Sequence, residues 1–286
     1  MPAPPATDHA IVTEATLPAP RAGAPGMIQV VEYSYSDTAN PSPMLLAWPA
    51  TRALSLDDQV LLSLFVDAFA GDESTDLYKL LIDGKTRTLD VGARAVSSTV
   101  SSDLGQPIYI GLSGVAPAHQ TAADVAAVRT AVHDALAKLA ALPDGDPALA
   151  AFAARVQSRI TARRRALAAF LDAPPRFGYR GTGSEWMTHL HALERAPGFA
   201  RSLTEREILD RAAAIVGGRE NPWRSRLPAW GLLDQPYGVV ARPSPALQRQ
   251  VAGQRAARIQ AEIARLQQEY GTADTAATLA RYQADY

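Results

Sequence analysis

The chain has 286 residues, 47% of them hydrophobic, which is enough for one large domain or two ordinary ones around a buried core. Its 28 Lys and Arg residues nearly balance 29 Asp and Glu residues, which excludes a global field that would attract nucleic acid or an anionic membrane. The absence of cysteine excludes disulfides, thiol nucleophiles and thiolate metal sites.

Residues 1–26 are rich in Pro and Ala and lack the basic region and apolar core of a signal peptide. We predict that they form a disordered arm. No run in the chain approaches the roughly 20 apolar residues that span a bilayer. The sequence therefore predicts a cytoplasmic protein without membrane or nucleic-acid partners.

The first half of the chain alternates between strand and helix patterns. Residues 27–35 and 44–48 are rich in β-branched, aromatic and apolar residues, which predicts two strands. Ser55, followed by two acidic residues and an apolar stripe, predicts a helix that ends at Gly71. A short helix over DLYKLLID, ending at Gly84, should follow.

Two further strands are predicted over residues 86–98 and 107–115, joined by a turn at SSDLGQ. Residues 121–142 then carry apolar side chains at the spacing of one buried helix face. After PDGDP the composition changes, and residues 147–171 predict a helix with an apolar face opposite an arginine-rich one.

The remainder of the sequence is predominantly helical. Helices are predicted over residues 185–195, 204–216 and 222–233, and the apolar run 237–241 predicts a returning strand. SPALQ opens a long helix to about Tyr270, and a second helix begins near Thr272. We interpret these last two helices as an apparently truncated hairpin over residues 244–286, expected either to pack or to act as a hinge.

Two regions resemble one family of enzymes. The stretch with DLYKLLID and IGLSGV, and the later WGLLDQPYGVVARPSPALQRQ, are similar in kind and order to parts of the insulinase-like (pitrilysin-family) zinc metallopeptidases, specifically the presequence-protease branch. The resemblance covers most of the chain after Met27. It implies an α+β fold: an insulinase-like αβ sandwich domain at 27–142, a helical region with a return strand at 143–243, and the hairpin.

The resemblance identifies the chain with the non-catalytic second domain of that family. The family's zinc motif, His-x-x-Glu-His, is absent around all five histidines: His9, His119, His133, His189 and His191. An Arg and Tyr pair that binds the substrate carbonyl in some relatives would correspond to Ile82 and Leu89, so it is absent as well. No catalytic residue, metal ligand or cofactor is therefore expected in this chain.

The implied function is to form a wall of a peptide chamber and its hinge. Peptide hydrolysis would then require a zinc-bearing partner domain, supplied upstream or by a separate chain, and this chain alone would be inactive. The alternative is a stand-alone peptide-binding or scaffold protein that kept the fold and lost catalysis. A zinc motif encoded immediately upstream or by a neighbouring gene would favour the first hypothesis.

Three patterns could mark binding sites. His189 and His191, near Glu185 and Glu194, could suggest a metal site, but residues two apart point to different sides of a helix, which favours surface or capping roles. The arginine run could bind phosphate, nucleic acid or an acidic peptide, whereas a solvated helix face paired with neighbouring acids is the simpler interpretation. The run comprises Arg159, Arg163, Arg164 and Arg165.

The Pro- and Gly-rich loop at residues 174–184 is the third pattern. No strand leads into it and no Lys-Ser/Thr follows, so a nucleotide site is disfavoured. Aromatic and arginine side chains in a loop are common interface anchors, so we predict inter-domain or ligand contacts, with structural packing as the alternative. The predicted contact residues are Arg176, Phe177, Tyr179, Arg180 and Trp186. Ser113, in GLSGV, is predicted to be structural because it lacks nucleophile-elbow spacing.

Overall fold

The computed structural model describes residues 24–48, 54–101, 107–172 and 206–285. Five strands form one sheet in the order β1-β5-β2-β4-β3. The strands are β1 (Ile28–Ser34), β2 (Ser42–Trp48), β3 (Ala95–Val100), β4 (Ile108–Val115) and β5 (Tyr237–Ser244). The described helices are α1 (Leu56–Ala70), α2 (Asp76–Leu81), α3 (Ala122–Ala141), α4 (Pro147–Asp172), α5 (Arg206–Val216), α6 (Trp223–Ala229), α7 (Pro245–Tyr270) and α8 (Thr275–Asp285). This helix-covered sheet with a mostly helical C-terminal region confirms the predicted α+β class.

Hydroxyl side chains fix the starts of four helices. In each case the hydroxyl accepts a hydrogen bond from the backbone N–H three residues later, which satisfies a donor that the first helical turn leaves unpaired. These N-caps are Ser55 for α1, Thr75 for α2, Thr121 for α3 and Ser244 for α7. The helix starts predicted at Ser55 and after Ser244 are therefore confirmed.

The last strand in sequence lies inside the sheet. β5 pairs in parallel with β1 and antiparallel with β2. β2 pairs antiparallel with β4, and β4 pairs antiparallel with β3. The predicted returning strand is confirmed, and it joins β1 to the rest of the sheet. The division of the chain at residues 142 and 243 stays a prediction.

One face of the sheet is covered by α1 and α3. Ser98 of β3 donates a hydrogen bond of 3.3 Å to the Val66 carbonyl of α1. At Gly238 of β5, an added Cβ would lie 2.4 Å from Val125 of α3, so this close approach requires glycine. The strand side chains on this face alternate with more exposed ones, which places the hydrophobic core between the sheet and the two helices.

A second helical layer lies outside α1 and α3. Phe152 of α4 packs against Phe65 of α1 and Trp223 of α6, with ring centroids 5.3 and 5.5 Å apart. The buried Asn221 amide donates to three carbonyls at the end of α3, those of Leu139, Ala140 and Leu142. One continuous core therefore includes residues from both the strands and the outer helices.

The predicted strand over residues 86–98 is wrong for its first part. Thr86 and Arg87 both donate backbone hydrogen bonds to the Asp83 carbonyl, which forms turns instead. Gly92 then adopts a φ of +69°, a left-handed conformation that interrupts an extended strand. Alternating apolar residues indicated a strand, but local turn bonds determine the backbone there, and β3 begins only at Ala95.

The helix predicted over residues 222–233 is shorter than expected. α6 contains Pro228, which lacks an N–H for continued helical pairing, and it ends at Ala229. Gly231 then adopts a φ of +75° within the turns that precede β5. The predicted helix 185–195 lies outside the described residues.

The chain continues from β5 directly into α7. Gly271 ends this helix in the left-handed conformation, and α8 packs against its last turns, where Leu266 is buried. Among the described helices, none has a stretch apolar and long enough to cross a bilayer. The cytoplasmic location stays a prediction.

Candidate functional site

Strand β3 forms a free edge of the described sheet. The backbone N–H of Ser101 donates a hydrogen bond to the Pro107 carbonyl. In an antiparallel pair only every second residue bonds to the partner strand, so this bond shows which residues of β3 bond to β4. Residues 95, 97 and 99 therefore bond to β4, whereas the backbone groups of Val96, Ser98 and Val100 point away from it. In the described part of the chain no strand lies beyond β3. These groups are positioned to pair with an additional extended segment.

A groove of about 550 Å³ runs along the end of this edge. β3 contributes Ser98, Thr99 and Val100, and helices α1 and α4 form the opposite walls. The helical lining consists of Ser63, Leu64, Val66, Asp67, Arg159, Ala162, Arg163 and Ala166. Small apolar residues, hydroxyls and charges of both signs therefore surround the space beside the unpaired backbone.

The charged side of the groove is held by ion pairs. Nε of Arg159 lies 3.0 Å from Oδ2 of Asp67, and Nη2 donates to Oδ2 of Asp72. A hydrogen bond from the Ser74 hydroxyl and the nearby Arg159 guanidinium lower the pKa of Asp72 from 3.8 to about 2. The Arg159 side chain is thus fixed at the groove wall by two carboxylates.

Other arginines of α4 also pair within the fold. Arg155 contacts Asp76 of α2 at 2.5 Å and lies over the Phe152 ring, 5.1 Å from its centroid. Arg164 forms an ion pair with Asp210 of α5. These contacts favour the interpretation of the arginine run as a helix face paired with neighbouring acids.

The sheet face opposite the core is largely apolar near its centre. Cross-strand register places Val239, Leu45 and Gly111 in one row, with Ser97 of β3 at its end. The adjacent row contains Tyr237, Ala47, Tyr109 and Thr99. These central side chains are half-buried, whereas Ser97 and Thr99 are exposed. A segment added to β3 would direct alternate side chains toward this face and toward the groove.

The predicted contact residues are not placed by the structure. Arg176, Phe177, Tyr179, Arg180 and Trp186 lie outside the described residues, as do the His189 and His191 pair with Glu185 and Glu194. Their roles stay predictions.

The described histidines have structural partners. His119 shares a hydrogen bond of 2.9 Å with Asp124 at the start of α3, and His133 contacts the Leu233 carbonyl at 3.2 Å. Within the described ranges no group of three or more His, Asp or Glu residues is arranged to hold a metal ion. These residues do not fit a zinc site, and no catalytic step is assigned to them.

Ile82 and Leu89 have no catalytic chemistry either. Ile82 caps the end of α2 and donates its backbone N–H to the Tyr78 carbonyl, and Leu89 packs at the margin of the core. Ser113 lies within β4 opposite Ala95. Sequence reasoning overlooked the β3 edge, although the Ser-Ser-Thr composition of this strand is typical of one that is partly solvated.

The fold is similar to those of several solved structures. A protease from Helicobacter pylori matches 76% of this chain and 44% of its own, with 13% identity and a TM-score of 0.50. A peptidase M16 inactive domain from Pseudomonas fluorescens matches 80% of this chain and 48% of its own, at 14% identity and a TM-score of 0.47. The periplasmic protease PqqL from Escherichia coli matches 78% and 21%, at 14% identity and 0.44.

The match to the H. pylori protease, at 13% identity and a TM-score of 0.50, shows a shared fold and nothing finer. The chain spans less than half the length of each of these three proteins. No protein-family model matches the chain, and no curated protein matches it in sequence.

Proposed function

We propose that this chain is a non-catalytic, peptide-binding portion of an insulinase-like zinc metallopeptidase of the presequence-protease branch. It forms one wall of a peptide chamber, and helices α7 and α8 belong to the hinge. The zinc-bearing catalytic part is supplied by another segment or chain. Hydrolysis of peptide bonds takes place there, on peptides that this chain helps to hold.

The free edge of β3 beside the groove is the observation that carries the proposal. An extended peptide gains main-chain hydrogen bonds from the outward groups of Val96, Ser98 and Val100. Such bonds recognise backbone and are independent of sequence, which suits a chamber that accepts varied peptides. The groove and the sheet face opposite the core then receive the alternate side chains.

One further observation supports the proposal. The fold is shared with the H. pylori protease, whose chain is more than twice as long as the matched part. The same observation also allows the rival function, a stand-alone peptide-binding or scaffold protein.

Peptide binding is tested by two substitutions at one position. Ser98→Pro removes an outward backbone N–H, which an edge strand tolerates, whereas Ser98→Ala keeps it. Both lose the hydroxyl bond to Val66, so they are matched in that respect. We expect Ser98→Pro to weaken binding of a fluorescent unstructured peptide about fivefold or more, measured by anisotropy.

The control Ser98→Ala should bind as the unchanged chain does. Circular dichroism and thermal melting establish that both variants fold. Equal binding by the proline and alanine variants would show that the peptide does not bind at the β3 edge.

A second experiment separates the peptidase from the rival. The purified chain is expected to contain no stoichiometric zinc and to leave a quenched fluorescent peptide intact. Addition of a zinc-motif chain encoded beside it should give hydrolysis that a chelator abolishes. Peptide binding without activity in the presence of such a chain would favour the stand-alone binding protein.

A further inference from the structure

The side chains of a peptide strand added to β3 would point in directions that do not depend on which way the peptide runs. In antiparallel and in parallel pairs, residues that lie side by side on neighbouring strands point to the same face of the sheet. Ser98 points to the helical side, where its hydroxyl bonds to the Val66 carbonyl of α1. Peptide residues beside Ser98 and Val100 therefore point toward the groove, whereas those beside Ser97 and Thr99 point to the opposite face.

The groove is open because small residues line part of it. Ser63 of α1 and Ala162 and Ala166 of α4 face the space, and none of the three has a side chain long enough to fill it. The two alanines are four residues apart, so they lie on one side of α4 about one turn from each other. The volume of about 550 Å³ falls within the roughly 300–1,000 Å³ of ligand pockets, which is enough for two peptide side chains.

Apolar residues form much of the groove lining. Leu64 and Val66 of α1 are buried beneath it, and the half-buried Val100 lies at the end of β3. Ala162 and Ala166 are exposed, so a side chain that enters the groove would cover them. Removal of apolar surface from water stabilises the bound state roughly in proportion to the area covered. An apolar side chain of the peptide adds its own area to this gain.

The charged groups at the groove already have partners within the fold. Nε of Arg159 lies 3.0 Å from Oδ2 of Asp67, and Nη2 of the same guanidinium donates to Asp72. Arg163 also has a partner. An acidic peptide side chain would compete with Asp67 for Arg159, and a basic one would compete with Arg159 for Asp67. A charged side chain therefore has to replace an existing ion pair, whereas an apolar one leaves that pair intact.

We propose that the groove selects extended peptides that carry apolar side chains two residues apart. This inference rests on the proposed function, because the β3 edge must first hold the peptide backbone. The backbone bonds are independent of sequence, and the groove adds a preference for side chains such as Leu beside Ser98 and Val100. Apolar residues at alternate positions are the pattern of a half-buried strand. The favoured substrate class is therefore unfolded strand segments of other proteins.

The experiment compares four fluorescent peptides that share one uncharged polar sequence and differ at two positions, two residues apart. These positions carry Leu, Ser, Asp or Lys. We expect the Leu peptide to bind the full chain about tenfold more tightly than the Ser peptide, measured by anisotropy. The Asp and Lys peptides should bind no more tightly than the Ser peptide. The advantage of the Leu peptide should persist at high salt, because it does not depend on ion pairs.

A substitution that fills the groove tests where the preference arises. Ala162→Trp places a large side chain in the space and should weaken binding of the Leu peptide about tenfold, but that of the Ser peptide less than about twofold. Ala154→Trp is the matched control, because Ala154 is also exposed on α4 but does not line the groove. This control should keep the full advantage of the Leu peptide. Circular dichroism establishes that both variants fold.

Equal affinities of the Leu and Ser peptides, or tightest binding of the Asp or Lys peptide, would overturn the inference. A Leu advantage that survives in Ala162→Trp would also overturn it, because the apolar side chains would then lie on the opposite sheet face. In each of these outcomes, binding that Ser98→Pro weakens would leave the proposed function intact. Absence of binding by all four peptides would overturn the proposed function and this inference together.

Discussion

Helices α4 and α7 are both 26 residues long and both rich in arginine, yet they differ in how much of their surface is buried. α4 buries Phe152, Val156 and Ile160 against its neighbours, whereas Leu266 is the one buried residue of α7. In α4, Arg159, Arg155 and Arg164 contact acids on α1, α2 and α5, respectively. Length and composition alone thus do not distinguish an internal helix from one that is largely exposed.

The largest difference should appear when one apolar residue is removed from each helix. Phe152→Ala leaves a cavity between Phe65 and Trp223 and should lower the free energy of unfolding by about 3–5 kcal/mol. Ile259→Ala should change it by less than about 0.5 kcal/mol, since Ile259 is exposed. Urea unfolding of the two variants measures both changes. Equal losses would show that α7 packs within the chain.

A smaller difference is expected between arginines of the two helices. Arg155 pairs with Asp76 and lies over Phe152, and its side chain is 20% exposed. Arg155→Met should therefore destabilise the fold by about 1–2 kcal/mol. Arg255→Met should have no measurable effect on stability, because Arg255 is exposed. Thermal melting of both variants checks the comparison, and an Arg155→Met variant as stable as the unchanged chain would contradict it.

The smallest effect is expected on the stability of the fold at acidic pH. Because the pKa of Asp72 is lowered to about 2, its ionised form stabilises the folded state above the unfolded value of 3.8, and this contribution disappears as pH falls from about 4 to 2. The side chain is 46% exposed, so solvent screening reduces the contribution to at most about 1 kcal/mol. Asp72→Asn should flatten the stability profile over this range.

Glu73→Gln, at the neighbouring exposed position, is the control for that profile and should keep the acid dependence of the unchanged chain. Urea unfolding at pH 5, 4, 3 and about 2 measures all three proteins. A profile of the Asp72→Asn variant identical to that of the unchanged chain would assign the acid dependence to other carboxylates.

Local signals in the sequence predicted many of the elements. The hydroxyl at Ser55 and the glycine at Gly71 bracket α1, and the apolar spacing of residues 121–142 predicted α3 almost to its ends. These features depend on bonds and contacts within a few residues. The irregular segment 86–94 was missed because turn bonds to Asp83 outweigh its alternating pattern.

Long-range features could not be predicted in the same way. A local sequence pattern predicts neither the position of β5 between β1 and β2 nor the exposure of the β3 edge. Both depend on which strands pair with each other across the fold. The sequence predicted a long helix to about Tyr270, but only the structure shows that residues 248–262 of this helix are exposed. The candidate peptide site therefore required the sheet order.

The pairing of β1 with β5 also governs how the protein folds. β1 pairs only with β5 in the described sheet, and the ion pair between Glu32 and Arg242 joins residues 210 positions apart. During synthesis β1 is therefore made long before β5, and its backbone hydrogen-bonding groups stay unpaired with β5 until then. Such distant contacts slow folding and leave strand edges exposed to other chains. Folding is therefore expected to end with the capture of β5 between two strands that were made first.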